Sequence, residues 1–189
     1  FNADPSTYVV ANYKAVLKDD TTYDVIQIAG TQTFNMEDAG WYWFSTYIKF
    51  DTEGEGLDAL KYELDDDASL IKGQYAFTNY LKYNNTSFWT SGNNALTTLS
   101  PSQMYMINTT SDNVEVDLTG AFLDYEAVPV TINVVEGWNW IGYPVSEEVN
   151  INNAIPNAKQ GDVIKSQFDG YAMYYKDYPF NNTTLTGWY

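Results

Sequence analysis

Apolar and polar residues alternate along most of this chain with the period of a β-strand. Val114-Glu115-Val116-Asp117-Leu118 switches residue by residue. Tyr8-Val9-Val10, Val25-Ile26-Gln27-Ile28, Trp41 to Phe50, Met104 to Ile107, Val128 to Val135 and Trp138 to Tyr143 are rich in β-branched and aromatic side chains. Turn formers separate these runs at Asp19-Asp20, Asp51 to Gly56, Asn84-Asn85, Ser91 to Asn94, Ser111-Asp112-Asn113 and Asn181-Asn182. Only Leu57-Asp58-Ala59-Leu60-Lys61 and Ile151-Asn152-Asn153-Ala154-Ile155 have helical spacing, one or two turns each, with Pro156 ending the second. The pattern predicts a mainly β fold of the sandwich kind.

The same pattern is written twice. Gly40-Trp41-Tyr42-Trp43 returns as Gly137-Trp138-Asn139-Trp140, Ile71-Lys72-Gly73-Gln74 as Ile164-Lys165-Ser166-Gln167, and each short helix lies between its two motifs. A duplication with a period of about 90–100 residues indicates architecture before chemistry. It divides the chain into two tandem β-rich modules with one short helix each, over 1–107 and 108–189. A pair of strands between Ile107 and Gly137 has its counterpart between Ala11 and Ala39, with Ile28-Ala29-Gly30 matching Leu118-Thr119-Gly120. In the first copy the chain runs on from Trp89 to a finishing strand at Met104 to Ile107. The second copy reaches Trp188 without one, and residues 1–10 carry the finishing pattern with Tyr8 in the place of Tyr105. The expectation is that this first strand completes a preceding or neighbouring module, so that other copies of the chain, or adjoining repeats, are its partners.

Charge narrows the remaining partners. With 25 acidic against 9 basic residues the net charge is −16, which repels phosphate backbones and anionic lipid heads and argues against nucleic acid. No run of eighteen apolar residues is present, so membrane insertion is not expected. Cys and His are absent, which removes thiolate and imidazole chemistry and the usual zinc ligands. Carboxylate pairs are the catalytic option left, and none stands in a recognisable setting, so no enzyme is expected. An acidic chain rich in Asn, Thr, Ser and Tyr fits an extracellular or cell-surface location.

Several groups are candidates for binding. Trp41 with Trp43, and Trp138 with Trp140, point in pairs to one face of a strand, and core packing is the expected role of that face. Trp89 and Trp188 lie instead among Asn, Thr, Ser and Gly, near Tyr83 in one copy and Tyr178 in the other. Aromatic rings beside amides and carboxylates suit a glycan face, which makes these four the candidate polysaccharide contacts. Asp51, Glu53, Glu55 and Asp58 open like a calcium loop, with acids at the first, third and fifth places and Gly56 at the sixth. The twelfth place is Tyr62, so the bidentate ligand is missing and a solvated acidic loop is the stronger reading; Ca2+ is the one cofactor considered. Lys72 with Gln74 and Lys165 with Gln167 repeat as pairs, which points to a requirement of the fold.

The run Gly137 to Pro144, then Ile151 to Ile155, then Gly161-Asp162-Val163-Ile164-Lys165-Ser166-Gln167 and Gly187-Trp188 resembles a repeat of large secreted and surface proteins of Bacteroidota and related bacteria. The first copy departs from it at Phe44-Ser45-Thr46 and at Ser102-Gln103. The resemblance covers about fifty residues and implies adhesins, fibres or envelope decorations, with no catalytic residues. The expected function is a non-enzymatic structural or adhesive module of a large surface protein or filament. A carbohydrate-binding module of a secreted enzyme and a phage fibre domain are the alternatives.

Overall fold

The computed structural model describes residues 7–10, 13–19, 22–27, 29–123 and 130–189, with side chains from Ala29 onward. Ile28 and 124–129, including Val128 of an expected strand, lie outside the described residues. The chain forms two compact units, Phe1–Ser146 and Glu147–Tyr189. The boundary therefore falls well beyond the expected 107/108.

The first unit opens with a meander of β1 (Thr7–Val10), β2 (Tyr13–Asp19) and β3 (Thr22–Gln27). Thr7 pairs with Val16 and Val10 with Tyr13, so the segment expected to finish another module is joined to its own neighbour. Next come β4 (Ala29–Met36), β5 (Trp41–Phe44), β6 (Ile48–Lys49), α1 (Glu55–Leu64), β7 (Ala68–Lys72), β8 (Phe77–Tyr83), β9 (Thr86–Trp89), β10 (Tyr105–Thr109) and β11 (Val114–Phe122). They make a five-stranded sheet ordered β5-β10-β7-β8-β9 and a three-stranded sheet ordered β4-β11-β6. The fold is mainly β and sandwich-like.

Sequence explains this packing strand by strand. In β11, Val114, Val116 and Leu118 are buried while Glu115, Asp117 and Thr119 face out, as the alternation requires. Tyr105 and Ile107 of β10 and Ile71 of β7 meet them in one core with Phe44, Ile48 and Met36. The helix α1 packs against β11 through Leu57, Leu60 and Leu64, all fully buried. It is longer than expected because Leu64 adds a third apolar contact one turn beyond Leu60, and no proline stops it. Each such leucine contributes roughly 1.5–3 kcal/mol of burial.

Residues 108–146 belong to the first unit because β11 is the central strand of its second sheet. Gly30 faces Gly120 and Ala29 faces Ala121 across β4 and β11, so the two glycine-bearing stretches that looked like copies are partners in one ladder. The Trp-x-Trp alternation is right but its phase is inverted. Phe44 is buried and Tyr42 packs on the core, which turns Trp41 outward into solvent.

The second unit holds α2 (Ile151–Ala154), β12 (Val163–Lys165), β13 (Tyr171–Phe180) and β14 (Thr183–Trp188) in a sheet ordered β12-β13-β14. Its order α-β-β-β repeats that of α1-β7-β8-β9. Register repeats too: Ile71 opposes Thr78 and Lys72 opposes Phe77, while Ile164 opposes Ala172 and Lys165 opposes Tyr171. Tyr80 pairs with Trp89, and Tyr174 with Trp188. Both hairpins close on an Asn-Asn pair with positive φ at each residue, 48° and 63° at Asn84-Asn85 and 46° and 64° at Asn181-Asn182. Two consecutive left-handed residues match the twist of the flanking strands, and asparagine is the side chain that tolerates them best after glycine.

The stretch Trp138–Tyr143 is the exception. It forms no strand, only an isolated bridge from Ile141 to Gln103 in the first unit. β5 exists because β10 lies beside it, and among the described residues no second β10 pairs with Trp138–Tyr143. A strand without a ladder partner leaves its backbone groups unpaired, so other groups bind this segment.

Candidate functional site

The tryptophans chosen as glycan contacts hold the fold. The indole Nε1–H of Trp89 donates to the carbonyl of Lys61 at 3.2 Å, and that of Trp188 donates to the carbonyl of Ile155 at 3.0 Å. Both acceptors lie at the C-terminal end of the small helix, and the Lys61 carbonyl also takes the Asp65 N–H at 3.0 Å. Each ring also meets the tyrosine opposite it, Tyr80 at 5.3 Å and Tyr174 at 5.5 Å between centroids. The result is the same lock in each copy, tying the last strand of the hairpin to the helix. In the second copy Asn152 adds a bond, its Oδ1 accepting the Trp188 N–H at 2.7 Å. A Cβ on Gly187 would collide with that oxygen, which accounts for the glycine before Trp188.

Trp188 is only 7% exposed and offers no ring face to a sugar, a correction to its expected role. Tyr83 is 69% exposed, but strand alternation sends it to the opposite face of β8 from Tyr80 and its partner Trp89. Tyr178 is exposed beside Tyr175, 5.0 Å between rings, and faces Leu185 across the hairpin. Within each copy, therefore, the two candidates form no shared platform.

An open groove of about 620 Å³ does run between α1 and the β8-β9 hairpin, lined by Tyr62, Glu63, Asp65, Tyr80, Phe88 and Trp89 among others. Tyr62 and Phe88 are exposed, and the Tyr80 hydroxyl donates to Asp65 at 3.1 Å. At its margin Lys82 binds Asp66 at 2.7 Å. The hydrogen bond and charge of Lys82 hold the Asp66 carboxyl below its ordinary value, and Asp66 in turn raises Lys82. The groove combines aromatic faces with carboxylates. The sequence points to its hairpin side, where Phe88 adjoins Trp89, and not to Tyr62, which joins it from the helix across the gap.

The acidic loop is organised around its own backbone. Glu55 Oε2 accepts the N–H groups of Asp51 and Thr52 and the Thr52 hydroxyl, all at 3.1 Å, which folds the loop back onto the first residue of α1. Asp58 points instead towards Lys61, 3.9 Å away. No group of three or more acidic side chains able to hold a metal ion is found among the described residues. Asp51, Glu53, Glu55 and Asp58 form no such group, and Glu55 instead holds the loop that leads into α1.

A second constellation joins the two repeated motifs. Gln74 accepts the Trp140 N–H on Oε1 at 2.9 Å and donates from Nε2 to the Trp138 carbonyl at 3.0 Å. Its carboxamide thus replaces the missing strand neighbour of the Trp138–Tyr143 segment. The Lys72 ammonium lies over two indoles, 5.1 Å from the Trp41 ring centre and 5.3 Å from that of Trp140, within cation–π range. Further along, Gly142 N–H donates to the Ser102 carbonyl at 3.0 Å, and a side chain at Gly142 would strike the Pro101 and Gln103 backbone. Trp138 remains 67% exposed, contrary to the expected core role of this pair. The repetition of Lys-x-Gln was the signal for this clasp; its partner was hidden because the two motifs lie far apart in the chain.

Among the described residues no helix is long and apolar enough to cross a membrane. Comparison of the chain with family models, with curated proteins and with solved structures finds no match.

Proposed function

We propose that this chain is a non-enzymatic, extracellular structural or adhesive repeat module of a large bacterial surface protein or filament. The observation that carries this reading is the nature of what is duplicated. The tryptophan lock, the opposing tyrosine, the Asn-Asn turn and the strand register recur in both units, and all of them serve to hold a helix against a hairpin. Duplication has preserved a scaffold. The resemblance of Gly137 to Pro144 and Gly161 to Gln167 to repeats of Bacteroidota surface proteins supports the same reading.

A second reading, carbohydrate binding, is favoured by the groove where Tyr62 and Phe88 stand beside Glu63 and Asp65. Affinity electrophoresis through gels containing soluble polysaccharides separates the two. The module reading expects migration unchanged by any polysaccharide. Retardation that disappears in Tyr62→Ala with Phe88→Ala, at an unchanged melting temperature, would transfer the function to the groove.

A further inference from the structure

We propose that the outer edge of β9 takes up an extended peptide segment of a partner protein, laid in the groove beside α1, with lysines on its groove side and an apolar residue between them. The proposal goes beyond the module reading, because the second unit closes the matching edge with a side chain of its own.

The open edge can be traced residue by residue. The Thr90 N–H donates to the Asn79 carbonyl at 2.8 Å, so that pair is hydrogen-bonded, and opposed pairs in an antiparallel ladder alternate. The pairs Tyr80 with Trp89 and Lys82 with Ser87 are then the non-bonded ones. The N–H and C=O of Ser87 and Trp89 therefore turn away from β8, and β9 is the last strand of its sheet. Both residues line the groove. In the second unit Met173 and Tyr189 exchange the matching bonds at 2.9 and 3.1 Å, and the Trp188 N–H leaves the ladder in the same way. There Asn152 Oδ1 accepts it at 2.7 Å. That cap depends on Gly187, because a Cβ on this residue would stand 2.5 Å from the Asn152 oxygen. Phe88 occupies the place of Gly187 in the first unit, and its Cβ excludes such a cap. Asp58, three residues before Lys61 as Asn152 is before Ile155, turns to Lys61 instead. Nothing among the described residues accepts the Trp89 N–H.

An open edge recognises another strand through main-chain bonds, and the side chains around it select which one. Guest residues opposite Ser87 and Trp89 lie on the face of the sheet that carries the groove. Glu63 and Asp65 line that side, and the lysines nearest them are engaged elsewhere, Lys61 by Asp58 at 3.9 Å and Lys82 by Asp66 at 2.7 Å. Glu63 makes no ion pair among the described residues. Two carboxylates thus await positive charge on a chain of net charge −16. The guest residue opposite Phe88 lies on the other face, beside Phe88 and Leu81, each 45% exposed, where an apolar side chain gains most. The occupant is therefore a Lys-apolar-Lys segment in extended form.

The test is a titration of the isotope-labelled full chain with the end-blocked peptide Thr-Lys-Val-Lys-Thr, followed by nuclear magnetic resonance. Expected are saturable shifts of the Ser87 and Trp89 amides, with slowed exchange of both. The same peptide methylated on the backbone nitrogens of its two lysines keeps its charge but loses its main-chain donors, and it should not bind. The double variant Glu63→Gln with Asp65→Asn should bind the unmethylated peptide about fivefold more weakly, its unchanged spectrum elsewhere showing an intact fold. Equal binding of the methylated peptide would mean plain attraction of opposite charges and would overturn the proposal. Shifts confined to another sheet edge, such as β5 or β12, would overturn it too, as would no saturable shift at millimolar peptide.

Discussion

The two units build one hairpin-and-helix frame, yet only one of them closes a core around it. In the first, α1 buries three leucines and β7 lies between β10 and β8, so Ile71 is fully buried. In the second, α2 is four residues long with no buried side chain, β12 is an edge strand, and Ile164 is half-buried. Trp188 is the one large side chain buried in that unit among the described residues. The lock between tryptophan and helix end sets the topology in both. Closure comes from elements outside the lock, β10 and the second sheet, which the first unit has.

The largest expected contrast lies at matched apolar positions. Ile71→Ala and Leu60→Ala remove fully buried side chains and should each destabilise the first unit by about 2–5 kcal/mol, whereas Ile164→Ala should cost less than about 1 kcal/mol. Urea unfolding of each variant checks this, and equal losses at Ile71 and Ile164 would break the comparison.

Smaller effects should be shared. Trp89→Phe and Trp188→Phe keep a ring but delete the indole hydrogen bond to the Lys61 or Ile155 carbonyl, so each should lose about 1 kcal/mol. If only one of the pair is sensitive, the lock is not common to both units.

A pH effect should come from Tyr105 in the first unit. Burial raises the Tyr105 phenol above its ordinary value of 10.0, with the Ser100 N–H bond opposing. The unfolded chain then releases this proton at lower pH than the folded one. The stability is complete below about pH 10 and declines as pH rises towards the folded value. Melting temperatures measured from pH 8 to 11 should show this decline, and Tyr105→Phe should flatten it.

Much of the frame was legible in the sequence, for local reasons. Val114 to Leu118 alternates because one face of β11 meets the core, and Asn84-Asn85 and Asn181-Asn182 mark turns that need positive φ. What depended on distant partners was not legible. Trp138–Tyr143 has the composition of a strand, but a strand exists only beside another, and among the described residues a single bridge to Gln103 is all that pairs it. The phase of Trp41-Tyr42-Trp43-Phe44 could not be read either, since alternation fixes which residues share a face without saying which face is inside. The groove beside Trp89 and the clasp at Gln74 are both assembled from segments far apart in the chain.

Residue-resolved hydrogen exchange tests the central claim most directly, because it reads the lock and the closure in one measurement. The indole N–H groups of Trp89 and Trp188 should both exchange slowly while that of Trp138 exchanges rapidly, and the amides of Leu70 to Lys72 should be protected well beyond those of Val163 to Lys165. A Trp188 indole that exchanges as fast as Trp138, or equal protection of the two matched strands, would contradict the account of one frame closed in only one unit.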